Sequence, residues 1–233
     1  MLMRSRLYVP GVRPRMIVTA GAFGADIVVL DLEDSVPPDE KDAARDLVRE
    51  ALGIVDFGRS AVFVRVNADE ETMGEDLEVL GGPCDGILLP KCDDPLILEY
   101  LDDVLAERES ELGRERGHFR IIPIIESARG LRQAYEIATA TDRVAALTLG
   151  LQDLAVDLGM PRSDDEAMLL PRSQVVLASR AAGVPPLDSV HPAIEDEGAL
   201  FEACVRSRQM GFEGRGAIHP SQVDVIHRAF MPP

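Results

Sequence analysis

The chain has 233 residues, 46% of them apolar and 28% charged, and carries a net charge of −17. A chain of this length buries about 70% of its unfolded surface on folding, so its core needs no disulfide or metal staple. The acidic balance argues against binding nucleic acid through phosphates, which requires a basic surface, and no apolar run approaches the roughly 20 residues of a membrane span.

The start of the chain, MLMRSRLYVPG, lacks the long apolar stretch of a secretory signal. Cys84, Cys92 and Cys204 form no CxxC pair. They read as small packing residues of a protein in a reducing compartment, and the expected location is the cytoplasm. His118, His191, His219 and His227 form no HExxH or HxH spacing, and neither a phosphate-binding GxxxxGK[ST] loop nor a GxSxG elbow occurs.

Taken in order, the apolar, β-rich runs are Leu7–Val9, Ile27–Leu30, Val62–Val66, Gly86–Leu89, Arg120–Ile124, Ala145–Leu149, Leu187–Val190 and Arg215–Ile218. They are continuous rather than alternating, as expected of strands covered on both faces in a parallel sheet. Helical patterns separate them: Pro14–Phe23, Asp39–Leu52, Met73–Leu80, Pro95–Arg108, Ala128–Ala138, Glu166–Ala182 and Asp196–Met210. The second carries Ala43, Ala44, Leu47, Val48 and Ala51 at helical spacing. Residues 109–118 read as a charged, solvated connector. No linker or low-complexity tract divides the chain, so residues 1–233 read as one domain. Eight β–α alternations in this length point to an α/β fold, a (β/α)8 TIM barrel, with a doubly wound open sheet as its rival.

Polar residues collect just after the strands. The second run opens into Asp31, Glu33 and Asp34, and the third ends in Arg65 and Asn67. The fourth leads to Lys91, the fifth to Glu126, the sixth to Gln152, Asp153 and Asp157, and the eighth to His219 and Gln222. In a parallel barrel all of these reach one rim, the C-terminal face, where active sites lie. Arg65 between Val64 and Val66, and Glu126 after Ile124 and Ile125, are charges embedded in apolar runs, and such charges need a partner or a metal.

Glu126 and Asp153, on neighbouring strand ends, would repel each other in a dry pocket, and a divalent cation removes that conflict. Hard oxygen donors, few in number, suit Mg2+. Arg65 offers a planar fork for a substrate carboxylate. The structural alternatives are a salt bridge for Glu126, a helix N-cap for Asp153, and for Arg65 an ion pair with the acidic cluster after the second strand, which is compatible with substrate binding. Cation and arginine together make entry of a small α-keto or α-hydroxy acid favourable. Lys91 reads best as a rim salt bridge, His219 as a hydrogen-bonded rim residue, and Arg13, Lys41 and Arg45 as helix-surface ion pairs rather than phosphate ligands.

The stretches RSRLYVPG, ADIVVLDLEDSVPPDEKDAAR, VFVRVN, ILLPK, IPIIESARGL, LGLQDLAVDLG and AIHPSQV resemble, in order and over nearly the whole chain, the citrate lyase β-subunit family of the HpcH/HpaI aldolase superfamily. The resemblance implies a (β/α)8 barrel that makes or breaks a carbon–carbon bond between a keto acid such as oxaloacetate and an acyl-CoA, with Mg2+. The CoA thioester is then a substrate of the citryl-CoA type. Glu126 and Asp153 match the family's metal ligands and also contact substrate, and Arg65 matches its keto-acid carboxylate position. Glu33 and Asp34 match an acidic pair that supports the metal's waters and the arginine. The resemblance further implies a homo-oligomer, commonly a trimer. Two departures stand out. Gln152 occupies a usually acidic position, and longer relatives continue past the residue matching Pro233 into a lid over a neighbouring subunit's site. Two other functions are weighed: a CoA-independent pyruvate aldolase, which the DLEDSV stretch disfavours, and a non-catalytic subunit that binds oxaloacetate and metal.

Overall fold

The apolar runs pair with one another in sequence order and then close. In a computed structural model describing residues 1–160 and 166–231, eight parallel strands form a barrel: β1 Ser5–Pro10, β2 Ile27–Asp31, β3 Ala61–Arg65, β4 Cys84–Leu89, β5 Arg120–Ile125, β6 Leu147–Leu149, β7 Pro186–Asp188 and β8 Gly214–Ala217. Pairing of β1 with β8, Arg6 opposite Gly216, excludes the open sheet. Each strand overlaps its expected run. The single domain expected over 1–233 includes residues 161–165 and 232–233, which lie outside the described residues.

The strands bury both faces, which explains why apolar residues run along them rather than alternate with polar ones. Ile27, Val29, Phe63, Leu88, Ile122 and Ile124 fill the barrel interior. The alternate residues, such as Leu7, Val28, Leu30 and Val64, pack outward against the helices. Each fully buried Leu, Ile or Phe contributes about 1.5–3 kcal/mol, so the alternation sets strand register strongly.

Helices α1 Pro14–Thr19, α2 Lys41–Ile54, α3 Glu70–Leu77 and α4 Leu96–Glu111 follow the first four strands. α2 turns Ala44, Val48, Ala51 and Leu52 inward, as its spacing predicts. The expected Ala128–Ala138 helix is two, α5 Ala128–Arg132 and α6 Ala134–Thr139. They break at Gln133, whose side chain donates to the Asp93 carbonyl at 2.6 Å. α8 Leu169–Ala182 and α9 Glu197–Met210 were expected, whereas α7 Leu151–Asp157 and α10 Ser221–Phe230 were not. α7 is a two-turn helix hidden in the run after β6. α10 buries Val223, Val225, Ile226, Ala229 and Phe230 and closes the helical ring beside β1 and β8. α9 starts under an Asp196 cap, which accepts from the Ala199 N–H at 2.9 Å, and stops at Gly211, whose φ of 103° suits glycine.

The connector at 109–118 is not simply solvated. Glu109 is fully buried at the end of α4. Its carboxylate accepts from both Arg143 Nη atoms at 2.6 and 2.9 Å and from the N–H groups of Gly117 and Phe119 at 2.9 and 2.7 Å. It ties α4 to the start of β5 and to the segment before β6. Glu109→Ala leaves Arg143 its ion pair with Asp102 but strands the N–H groups of Gly117 and Phe119, and is expected to cost about 2–4 kcal/mol in denaturant unfolding. A surface connector would lose no more than about 1 kcal/mol.

Among the described residues no helix is long and apolar enough to cross a membrane. The three cysteines are free and buried. Burial pushes the thiols of Cys84 and Cys92 up to about 12 and that of Cys204 up to about 11, in keeping with packing roles.

Candidate active site

The inward parity of each strand continues past its last apolar residue into a polar one. Val29 is followed on the inner face by Asp31, Phe63 by Arg65, and Ile124 by Glu126. These side chains open at the C-terminal rim into a cavity of about 390 Å³. Asp34, Arg65, Glu126 and Asp153, drawn from four β–α loops or strand ends, all line it. Glu33 lies behind this wall, between Arg65 and Lys91.

Arg65 is held on three sides. Its Nε and Nη2 donate to the two oxygens of Asp31 at 2.6 and 2.7 Å, and Nη1 reaches Glu33 Oε2 at 3.0 Å and Asp34 Oδ2 at 3.4 Å. Its guanidinium sits 5.5 Å from the Tyr8 ring centre. The ion pair considered from sequence therefore exists, and its main partner is Asp31 rather than Glu33 or Asp34. Asp31 is 2% exposed. Burial opposes its ionisation, but the Arg65 contacts and the Ser35 hydroxyl outweigh that and hold its pKa below the ordinary value. Asp34 stands at the exposed lip, its carboxylate reaching Arg65 only at the longer 3.4 Å.

The loop after β2 is clamped from below. Lys41 Nζ donates to the carbonyls of Leu32 and Glu33 at 2.6 and 2.7 Å, and Asn67 Nδ2 donates to that of Leu32 at 3.0 Å. Lys41 is thus a loop clamp rather than a surface ion pair, while Arg45 does pair, with Asp42, Glu75 and Asp76. Glu33 accepts from Lys91 Nζ at 2.8 Å. Burial raises its pKa despite Lys91 and Arg65.

Glu126 is buried, and Asp153 is exposed in the first turn of α7, past its Gly150 N-cap position. Glu126 Oε1 accepts the Lys91 backbone N–H at 2.6 Å. Lys91 adopts φ of 51°, the one non-glycine residue with positive φ among those described. Such strain costs about 1–3 kcal/mol and persists where surrounding structure imposes it; here it aims an N–H at a carboxylate. Burial pushes the Glu126 carboxyl up to about 8, the charges of Asp153 and Glu33 adding to the effect against the Lys91 N–H.

Gly150 makes room for Glu126: a Cβ there would lie 2.5 Å from Glu126 Oε2 and 2.7 Å from Glu126 Cβ. Gly150→Ala is expected to leave a folded barrel by circular dichroism while turnover falls about 100-fold, the loss that a misplacement of 1 Å brings. Unchanged turnover would mean that the position of Glu126 is immaterial.

Among the described residues no group of three or more His, Cys, Asp or Glu side chains converges as a self-sufficient metal site. An exclusively oxygen-donor pair such as Glu126 and Asp153 nevertheless fits Mg2+, which is held by one or two carboxylates and completes its shell with water and substrate oxygens. His219 bonds Ser221 Oγ at 2.7 Å on the rim, outside the cavity wall. Sequence reasoning passed over Arg6, Tyr8 and Thr148, which also line the cavity. The signal was available: Arg6, Tyr8 and Pro10 alternate along β1, and period-2 parity puts them on one face.

A closed parallel barrel with paired carboxylates and a braced arginine at the C-terminal mouth defines a TIM barrel of the acidic-site kind. The chain belongs to the HpcH/HpaI aldolase/citrate lyase family, whose model matches residues 4–220. It is 36% identical over 99% of its length to the citrate lyase subunit beta of Leuconostoc mesenteroides subsp. cremoris, covering 78% of that protein. It is 34% identical over 98% of its length to a (3S)-malyl-CoA thioesterase of Cereibacter sphaeroides, covering 77% of it. The structure of the citrate lyase beta subunit from M. tuberculosis complexed with oxaloacetate and magnesium superposes with a TM-score of 0.83, at 31% identity over 99% of this chain and 98% of that one.

Proposed function

We propose that the chain is a Mg2+-dependent carbon–carbon lyase joining or separating a keto acid such as oxaloacetate and the acyl group of a CoA thioester. The observation that carries this reading is that Arg65, Glu126 and Asp153 wall the same cavity. It is supported by a relative in the family that is complexed with oxaloacetate and magnesium and by one named for a malyl-CoA substrate.

In this reading Glu126 and Asp153 hold the cation, which when bound supplies Lewis acidity worth several kcal/mol at the keto oxygen. Arg65 Nη1 takes a carboxylate of the keto acid, while Asp31 and Glu33 fix the guanidinium plane. The Lys91 N–H and Gly150 set the Glu126 carboxylate in place. In cleavage the bond between the hydroxyl-bearing carbon and the acyl α-carbon breaks. Its electron pair goes to the α-carbon, which gains a proton, and the hydroxyl loses one, yielding keto acid and acyl-CoA. In the same proposal residues 1–233 act as one catalytic domain and the working form is a cytoplasmic homotrimer, whose mass sedimentation equilibrium reads directly.

The test is turnover of citryl-, malyl- and citramalyl-CoA with Mg2+ and with EDTA. The reading expects equal amounts of keto acid and acetyl-CoA, and none with EDTA. Release of free CoA with the hydroxy acid intact would instead make the protein a thioesterase. Aldol addition of free pyruvate to an aldehyde with no CoA-ester turnover would make it a CoA-independent aldolase. Oxaloacetate binding without turnover would make it a non-catalytic subunit.

A further inference from the structure

Arg6 is the cationic side chain set deepest in the cavity. Arg6, Tyr8 and Pro10 line it from β1, and Arg6 comes first, farthest from the C-terminal rim. The residue is 1% exposed. Its Nη2 donates across the barrel to Thr148 Oγ1 on β6 at 2.8 Å and to the Asp188 carbonyl on β7 at 2.7 Å. Its Nε and Nη1 are buried and have no hydrogen-bond partner among the described residues. A buried polar group without a partner calls for a functional account, and a buried charge without a counter-charge is costly.

Among the described residues no neighbouring carboxylate is left to answer this charge. The Asp188 carboxylate is engaged by Arg172, Arg215 and the Ser207 hydroxyl. Burial pushes the Arg6 guanidinium's pKa down, and the Tyr8 phenol and Asp188 make up only part of it, while Arg215 acts in the same direction as burial. Arg65 differs from Arg6 in that its charge is already balanced by Asp31 and Glu33. The Tyr8 ring lies against Arg65, and its phenol also acts on Arg6, two residues away along the same strand face. A keto acid with one carboxylate needs only the cation and Arg65. A second cationic group, deeper and unanswered, fits a second carboxylate.

We propose that Arg6 binds the distal carboxylate of a dicarboxylic 2-keto acid, so that the site favours substrates releasing an oxaloacetate-like diacid over those releasing pyruvate or glyoxylate. The proposal rests on reading the cavity as a keto-acid site.

The experiment is titration calorimetry of oxaloacetate and of pyruvate into the full chain at saturating Mg2+. The hydroxy-acid pair malate and lactate repeats the comparison without decarboxylation. The wild type is expected to prefer the diacid by roughly 100-fold, the range of a desolvated charge pair. Arg6→Met should bring the diacid to within about threefold of the monoacid and leave the monoacid's affinity unchanged; Arg6→Lys, which keeps charge and loses the planar fork, should fall between. A wild-type preference below about threefold overturns the proposal, as does equal weakening of both acids in Arg6→Met. If Arg6→Met does not fold by circular dichroism, the wild-type ratio and Arg6→Lys decide. Failure of the wild type to bind either acid would overturn the keto-acid reading itself, a result distinct from binding both equally.

Discussion

Glu126→Gln is expected to bind Mg2+ more than about 100-fold more weakly than wild type, beyond what an outer-shell partner's loss costs, and to turn over no CoA ester. The same variant should change the pH dependence of stability. Burial, with Asp153 and Glu33, puts the Glu126 carboxyl at about 8, against 4.5 in an unfolded chain. The folded state therefore holds this proton more tightly than the unfolded state does. Its contribution to stability is fully present below 4.5 and is lost as pH rises through about 8. Thermal melts of the metal-free wild type should thus fall, relative to Glu126→Gln, between pH 5 and 8. Mg2+, which binds the ionised carboxylate, should restore the wild type and leave the variant unmoved. Identical pH profiles for the two proteins would place Glu126 in a different electrostatic setting from the one described.

Arg65→Met should be costly for the fold. It strands Asp31, 2% exposed, without its cation and leaves Glu33, 6% exposed, with Lys91 but without Arg65. Breaking one side of a buried pair costs about 3–5 kcal/mol. The Asp31 pKa is depressed in the native protein, so its stabilising contribution is present above the unfolded value of 3.8 and is lost as pH falls through the folded value. Denaturant unfolding should therefore show the largest deficit of Arg65→Met near pH 7, narrowing toward pH 4 as these carboxylates protonate. Binding of a keto acid should weaken by a further ~2–5 kcal/mol. Arg65→Lys should recover part of the stability and little of the binding, because an ammonium cannot bridge Asp31 side-on and still reach a substrate.

Both predictions concern charges that were visible in the sequence because each interrupts an apolar strand. A barrel strand is buried on both faces, so most of the runs are nearly continuous in apolar residues, and a charge within or just after one, as at Arg65 and Glu126, has to face something specific. Asp153 was found for a different reason, its place on the loop after β6 beside the strand that ends at Glu126. Arg6 was missed because it stands at the edge of its run, where a charge looks like a solvated flank, although its parity with Tyr8 marked it as inward. Glu109 was misread for the same cause: in a charged segment, composition does not reveal which carboxylate the fold turns inward to Arg143. The strained Lys91 backbone leaves no composition signal. α10 is ten residues long, too short for its apolar spacing to stand out from the run that precedes it.

The central claim is that two carboxylates and one arginine address a single guest at the mouth of the barrel. A crystal structure with Mg2+ and oxaloacetate tests it most directly. The account predicts one cation bonded to an oxygen of Glu126 and an oxygen of Asp153, with the keto acid on that cation and a carboxylate within hydrogen-bond reach of Arg65. A cation bound elsewhere, or a keto acid seated outside the cavity walled by these three residues, would contradict it.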